Sequence, residues 1–277
     1  MIVVGVDGSR AGLEAVAWAA REASLREEPL RVAHAMPAWA IEERTGRLSE
    51  VSEWMREGAK VVLDAGLERA RREAPGVEAD SQLLPGDARE ALIAASGHAG
   101  LLVVGNHGLG GVRGLLVGSV AYGVAARAAC DVVVVREGPR RGEIVVGVDG
   151  SPAGEHVLDF AFAEARLHGA RLRAVHAWTM LEAGGGFYPV PDDLGLRETL
   201  GGRRESHPDV ELIEEIVRGH AVEVLRQAAE GADLLVVGTR GQGQVAGLVF
   251  GSVSQAMLQQ APCSLAVVRT GAERFGS

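Results

Sequence analysis

The sequence predicts an α/β protein made of two tandem doubly wound domains, each an open five-stranded parallel sheet of order 3-2-1-4-5 with helices on both faces. Three observations predict it. Ile2 to Ser9, IVVGVDGS, recurs unchanged as Ile144 to Ser151, an offset of 142 residues. In both halves short β-branched runs alternate with Ala-rich stretches of helical period, the signature of parallel βαβ units. Strand runs such as Leu101–Val104 are apolar throughout, as strands covered on both faces are. Right-handed crossovers then give a doubly wound sheet, whose ligands sit beyond the strand C-termini at the switch point.

The repeat continues past its first motif. His34-Ala35 returns as His176-Ala177 at the same offset. Leu101–Gly105 returns as Leu234–Gly238, Gly118-Ser119-Val120 as Gly251-Ser252-Val253, and Cys130 as Cys263, all at an offset of 133. The second copy has therefore lost nine residues between its second strand and its later motifs. Two copies in 277 residues make two domains, here 1–137 and 143–270, and not a solenoid. Arg136 to Gly142, REGPRRG, is the charged, Pro- and Gly-containing join.

The elements follow in chain order. In the first copy, strands are expected at Ile2–Val6, Leu30–Ala35, about Val77–Leu83, Leu101–Val104 and Val132–Val135. Helices are expected near Arg10–Arg26, Glu50–Glu73, Ala88–Ser96 and Ser119–Ala128, the Glu/Arg run of Glu42–Arg72 being the solvated face of a long helix. In the second copy, strands are expected at Ile144–Val148, Leu172–Ala177, Glu211–Val217, Leu234–Val237 and Ser264–Val268. Its second helix falls within Asp192–Glu205 and is short, after a loop at Glu182 to Pro191.

Composition narrows the function. The net charge of −9 and pI near 5.4 argue against a polyanion-binding surface, so no nucleic-acid partner is expected. The longest apolar stretch, Leu115 to Cys130, is broken by Gly118, Ser119, Gly123 and Arg127, so no membrane span is expected. Two cysteines make no disulfide framework, and Met1 leads directly into an apolar strand without a basic region. A cytoplasmic location is the expectation.

The motif richest in chemistry is Gly105-x-x-Gly108, nine residues, then Gly118-Ser119, and its copy Gly238-x-x-Gly241, nine residues, Gly251-Ser252. Each follows a strand and ends where a helix begins. Glycines let backbone N–H groups approach an anion, and the helix N-terminus adds unpaired donors and a positive dipole end. Ser119 and Ser252 are placed both to cap the helix and to offer a hydroxyl to an oxyanion. The same spacing also fits a plain tight turn with a capping serine. Asp7 and Asp149 close the first strand of each copy, where a carboxylate can accept from a ribose hydroxyl or an adenine amine, or can instead cap the next helix with Ser9 or Ser151.

Over nearly its whole length the chain resembles tandem universal stress proteins. The resemblance rests on Val4-Gly5-Val6-Asp7-Gly8-Ser9, on the His-plus-small-residue end of the second strand, and on G-x2-G-x9-G-S, the motif that marks the ATP-binding branch of that family. It implies that Asp7 and Asp149 hold the adenosine part, bordered by the backbone of Ala35 and Ala177. The implied ATP-binding set in the first copy adds Gly5, Val6, Gly105, His107, Gly108, Gly110, Arg113, Gly118, Ser119 and Val120. In the second copy it adds Gly147, Val148, Gly238, Arg240, Gly241, Gly243, Gly251, Ser252 and Val253. ATP is the implied cofactor, with Mg²⁺ only as its companion and no protein metal site. The implied partner is a second chain, giving a homodimer of tandem chains in which the last strand of each copy meets its counterpart across a pseudo-two-fold within the chain.

The copies differ within the loop. His107, Gly111 and Arg113 become Arg240, Gln244 and Ala246, so phosphate affinity is expected to differ between sites. The shortened second helix of the second copy is expected to leave its adenine pocket less covered, and the first copy is expected to bind more firmly. Gly241-x-Gly243-x-x-Ala246 matches a dinucleotide pattern but lacks the acidic residue about twenty positions on. There is no G-x4-G-K-[ST], no G-x-S-x-G, no metal-type His/Cys spacing and no evident acid–base carboxylate pair. His34 and His176 are expected to pack or hydrogen-bond at strand ends, and Cys130 and Cys263 to be buried small hydrophobes. The expectation is therefore a stress-response or regulatory nucleotide-binding protein and not an enzyme, the alternatives being a slow ATPase or a nucleotide-free dimerisation module.

Overall fold

The computed structural model describes residues 1–42, 45–108, 117–138, 141–151, 154–178, 193–239 and 250–270, the side chains of 193–199 excepted. The chain divides into two compact units, Met1–Glu137 and Gly138–Ala272.

In the first unit the strands are β1 (Ile2–Gly5), β2 (Leu30–Met36), β3 (Ala79–Pro85), β4 (Leu101–Gly105) and β5 (Asp131–Val135). The helices are α1 (Arg10–Arg26), α2 (Ala38–Glu42), α3 (Ser49–Glu73), α4 (Ala88–Ser96) and α5 (Ser119–Arg127). Strand β1 is central: Ile2 registers with Leu30 of β2 on one side and Leu101 of β4 on the other, both parallel. Strands β3 and β5 continue the sheet outward, also in parallel. Val3, Val4, Leu102, Val103 and Val133 are buried because helices cover both faces, which is why their strands need no polar alternation.

Local chemistry sets the helix boundaries. The Ser9 hydroxyl accepts from the Gly12 N–H at 3.1 Å and starts α1. Glu27, left-handed at φ 56°, ends it. Gly86, at φ +108°, turns the chain out of β3 and donates its N–H to Met36 O, after which the Asp87 carboxylate caps α4.

The second unit follows the same plan. Its strands are β6 (Glu143–Val148), β7 (Arg171–Trp178), β8 (Leu212–Arg218), β9 (Leu234–Gly238) and β10 (Ser264–Val268). Its helices are α6 (Gly154–His168), α7 (Asp193–Ser206), α8 (Ala221–Ala228) and α9 (Ser252–Gln260). Strand β6 is flanked by β7 and β9, with β8 beyond β7 and β10 beyond β9, every pair parallel.

Three expectations need correction. The ten strands belong to one ten-stranded sheet, not to two separate five-stranded ones, so the order 3-2-1-4-5 describes only the run of strands inside a unit. Periodicity reports which residues form a strand, whereas the end of a sheet depends on which ladder groups find partners. Helix α2 was not anticipated, since five residues after Pro37 are too few to display a helical period. Several strands also begin or end one or two residues from the expected positions. Helix α7 has 14 residues where α3 has 25, in line with the deletion in the second copy. No helix among the described residues is long and apolar enough to cross a membrane.

Candidate functional site

Each unit has a cleft at the C-terminal ends of its central strands, assembled by the same backbone devices. In the first, the chain leaves β1 through Val6 and Asp7. Asp7 Oδ1 accepts from the Ser9 N–H at 3.0 Å, and Gly8 takes φ +84° to complete the turn. Asp149 repeats this with the Ser151 N–H at 3.0 Å and Gly150 at φ +70°. The aspartates therefore shape the turn and line the cleft at once, and in the first copy it is Ser9 that caps the helix that follows. His34 Nδ1 lies 2.8 Å from Val6 O, and His176 Nδ1 lies 2.9 Å from Val148 O. A carbonyl only accepts, so Nδ1 carries the proton, and the imidazole clamps the second strand to the turn.

The glycine loops are pinned at their ends. Asn106 N–H donates to Val135 O at 3.1 Å, and Gly118 N–H donates back to Asn106 O at 2.7 Å. In the second unit Thr239 N–H donates to Val268 O, and Gly251 N–H donates to Thr239 O, both at 2.8 Å. The glycines are required by close approach. A Cβ on Gly108 would stand 2.4 Å from Asp7 Oδ2, and one on Gly105 would stand 2.7 Å from the Ala11 backbone. A Cβ on Gly5 or Gly147 would strike Leu92 or Leu225, which form the apolar wall of each cleft.

The capping expectation for Ser119 and Ser252 is corrected. The N-caps are Gly118 and Gly251, both extended, whose carbonyls accept the Tyr122 and Gln255 N–H groups at 3.0 and 2.9 Å. The serines are the first helical residues, exposed, and no side chain among the described residues caps either helix. The first-turn N–H groups thus open onto the cleft, with the positive end of the helix dipole behind them.

The first cleft encloses about 390 Å³ and is lined by Gly5, Val6, Asp7, Ala35, Gly105, His107, Gly108, Gly118, Ser119 and Val120. The second encloses about 270 Å³ and is lined by Gly147, Val148, Asp149, Ala177, Gly238, Gly251, Ser252 and Val253. The structure thus brings every described candidate residue to its own cleft. Gly110, Arg113, Arg240, Gly241 and Gly243 lie outside the described residues. Sequence reasoning missed Gly12, Ala33, Ala88, Leu92, Val104, Val117 and Ala121 in the first cleft. In the second it missed Gly154, Val157, Val175, Ala221, Leu225, Val237 and Ser254. Periodicity contained part of that signal: Ala33 is two residues before Ala35 on one strand face, and Leu92 is one helical turn beyond Ala88.

The copies diverge in side chains. Val175 stands where the first copy has Ala33 and reduces the space at the cleft floor. Ser254 stands where the first copy has Ala121, and its hydroxyl donates to Gly238 O. The Ser9 hydroxyl caps α1, whereas the Ser151 hydroxyl has no hydrogen-bond partner among the described residues.

These features define a duplicated parallel α/β protein with a glycine-lined cleft in each repeat. The universal stress protein family model matches residues 1–136 and again 141–269, and the chain belongs to that family. A universal stress protein of Mycobacterium tuberculosis strain H37Rv is 35% identical over 284 aligned residues, covering 97% of this chain and 96% of the relative. A solved universal stress protein from Archaeoglobus fulgidus shares the fold, with a TM-score of 0.72 at 20% identity over 98% of this chain and 96% of its own. A shorter universal stress protein, solved in complex with cAMP, matches 48% of this chain and 100% of its own at 29% identity and a TM-score of 0.39.

Proposed function

We propose that this chain is an ATP-binding stress-response protein of the cytoplasm, acting through occupancy of its clefts and not through turnover. The observation that carries this reading is the convergence, in one cleft, of the Asp7 carboxylate, side-chain-free Gly105 and Gly108, and the uncapped start of α5. Asp7 is a hydrogen-bond acceptor for the ribose or base, Leu92 and Ala33 offer apolar surface to a planar ring, and the α5 N–H groups with Ser119 face the phosphates. Mg²⁺ accompanies the phosphates in this reading, and no side chain is assigned a catalytic role. Whole chains pair as homodimers in the same reading, which sedimentation velocity tests.

The decisive experiment releases nucleotide from freshly purified protein and identifies it by mass spectrometry, alongside thermal melts with and without millimolar ATP. Bound adenine nucleotide and an ATP-dependent rise in melting temperature are expected. Absence of both would reassign the loops to a nucleotide-free dimerisation module. Multiple turnovers of ATP that a change at Ser119 abolishes would make the protein a slow ATPase instead.

A further inference from the structure

The first unit carries an exposed apolar face remote in character from the clefts. Of the six large hydrophobic residues exposed among the described residues, five lie between positions 39 and 61: Trp39, Leu48, Val51, Trp54 and Val61. Trp54 is 73% exposed and Val61 69%. On α3, Val51, Trp54, Gly58 and Val61 fall at i, i+3, i+7 and i+10, the spacing of a helix–helix seam. The buried face of the same helix, Ser52, Ala59, Leu63, Gly66 and Ala70, is a separate stripe already used against the unit's own core. A helix of this kind carries one apolar face for its core, so the second stripe is surplus to folding. Gly58, one helical turn beyond Trp54, has nothing within 4 Å of where a Cβ would stand, which leaves a notch in the stripe between Trp54 and Val61.

Charge decides what fits there. Glu50, Glu57 and Asp64 recur every seven residues along one edge of the stripe, all exposed and with no ion pair among the described residues. A second copy of the chain, paired antiparallel across a two-fold axis, would set this acidic row beside its own duplicate. An anionic lipid surface would meet the same row on a chain of net charge −9. A helix with apolar residues toward Trp54 and basic residues along its edge meets neither penalty.

We propose that the Val51–Trp54–Gly58–Val61 face of α3 docks an amphipathic helix of a partner protein, its apolar side seated around Trp54 and its Lys/Arg edge against Glu50, Glu57 and Asp64. Burial of an exposed tryptophan beside a glycine notch supplies the anchor, and the acidic row supplies orientation and faster encounter.

The test uses the full chain and two synthetic amphipathic helices of one hydrophobic pattern, one of leucine and lysine, the other of leucine and glutamate. The lysine peptide is expected to bind saturably at one per chain, with a blue shift of tryptophan emission, and to weaken as salt is raised. Trp54→Ala and the pair Glu57→Lys/Asp64→Lys are each expected to weaken it about tenfold or more, with unchanged melting temperature because all three side chains are exposed. The glutamate peptide is expected not to bind. Equal binding of both peptides, or of the lysine peptide to wild type and Trp54→Ala, overturns the proposal. A concentration-dependent dimer, or adsorption to phosphatidylserine vesicles, that Trp54→Ala abolishes overturns it in favour of a second copy or a membrane.

Discussion

The two clefts sit at the same place in the same fold and are not equivalent. Both have an aspartate whose Oδ1 accepts the N–H two residues on, a histidine clamp on the turn, and a glycine N-cap at the loop's end. They differ in Val175 against Ala33, in the Ser254 hydroxyl, in a Ser151 hydroxyl without a partner among the described residues, and in a volume of about 270 against 390 Å³. The first lies within the range of about 300–1,000 Å³ usual for small-molecule clefts and the second just below it. The backbone devices are shared because changing any of them breaks a strand end or a turn. The floor and cap side chains tolerate change, and they are where the copies have parted.

The most severe break in the comparison is Gly108→Ala. Its Cβ would displace Asp7 Oδ2 from 2.4 Å, so the carboxylate must swing and the cleft loses its acceptor. Titration of ATP into this variant in an Asp149→Ala background is expected to show a loss of about a hundredfold or more in affinity, roughly 2.7 kcal/mol, with the fold retained. Gly105→Ala is the contrasting control: the clash there is with the Ala11 backbone, so melting temperature falls as well. Retained affinity in Gly108→Ala would remove Asp7 from the site. Separate titrations of Asp7→Ala and Asp149→Ala test the inequality itself, and equal losses would end it.

The next effect is the floor exchange. Ala33→Val is expected to weaken ATP binding at the first cleft by about tenfold, near 1.4 kcal/mol, and Val175→Ala to strengthen it at the second. If neither variant moves affinity, the residue at this strand position does not set the difference between the sites.

Most of the fold was legible in the sequence because helix and strand periods are local. Arg10–Arg26 and Ala88–Ser96 coincide with their helices because Ala-rich stretches of helical period stand out between β-branched runs. The loop glycines with Ser119 and Ser252 were legible through the repeated glycine spacing, and the rest of the candidate site through the resemblance to universal stress proteins. Leu92, Leu225 and Ala33 were not, because they reach the clefts through packing between a helix and a sheet distant in sequence. Gly118 taking the cap from Ser119 was not legible either, since both residue types suit an N-cap and only the backbone angle distinguishes them. Whether ten strands close into one sheet was outside any local pattern.

A smaller effect separates the helix starts. Ser9→Ala removes the cap of α1 and is expected to cost about 1 kcal/mol in urea unfolding. Ser151→Ala removes a hydroxyl without a partner among the described residues and is expected to be near neutral. Equal costs would mean that Ser151 caps its helix in solution.

The smallest effect lies at the sheet periphery, where the repeats use one arginine position differently. Arg31 grips Asp80 with Nε and Nη2 at 2.8 and 2.7 Å, while Arg173 faces Ile213 in register and turns to Glu143 and Glu215. The Arg31 hydrogen bonds hold the Asp80 carboxyl below its ordinary range, with partial burial opposing them and the guanidinium charge assisting. A folded-state pKa below the unfolded one adds stability above the unfolded value, near 3.9, and loses it as pH falls through the folded value. The Asp80 side chain is 58% exposed, so solvent screening keeps the contribution under about 1 kcal/mol. Asp80→Asn is therefore expected to lower the melting temperature by only a degree or two at pH 7, with the gap to wild type narrowing below pH 4. A gap that widens on acidification would reverse the sign of the assigned shift and leave Arg31 with a purely geometric role at the edge of β3.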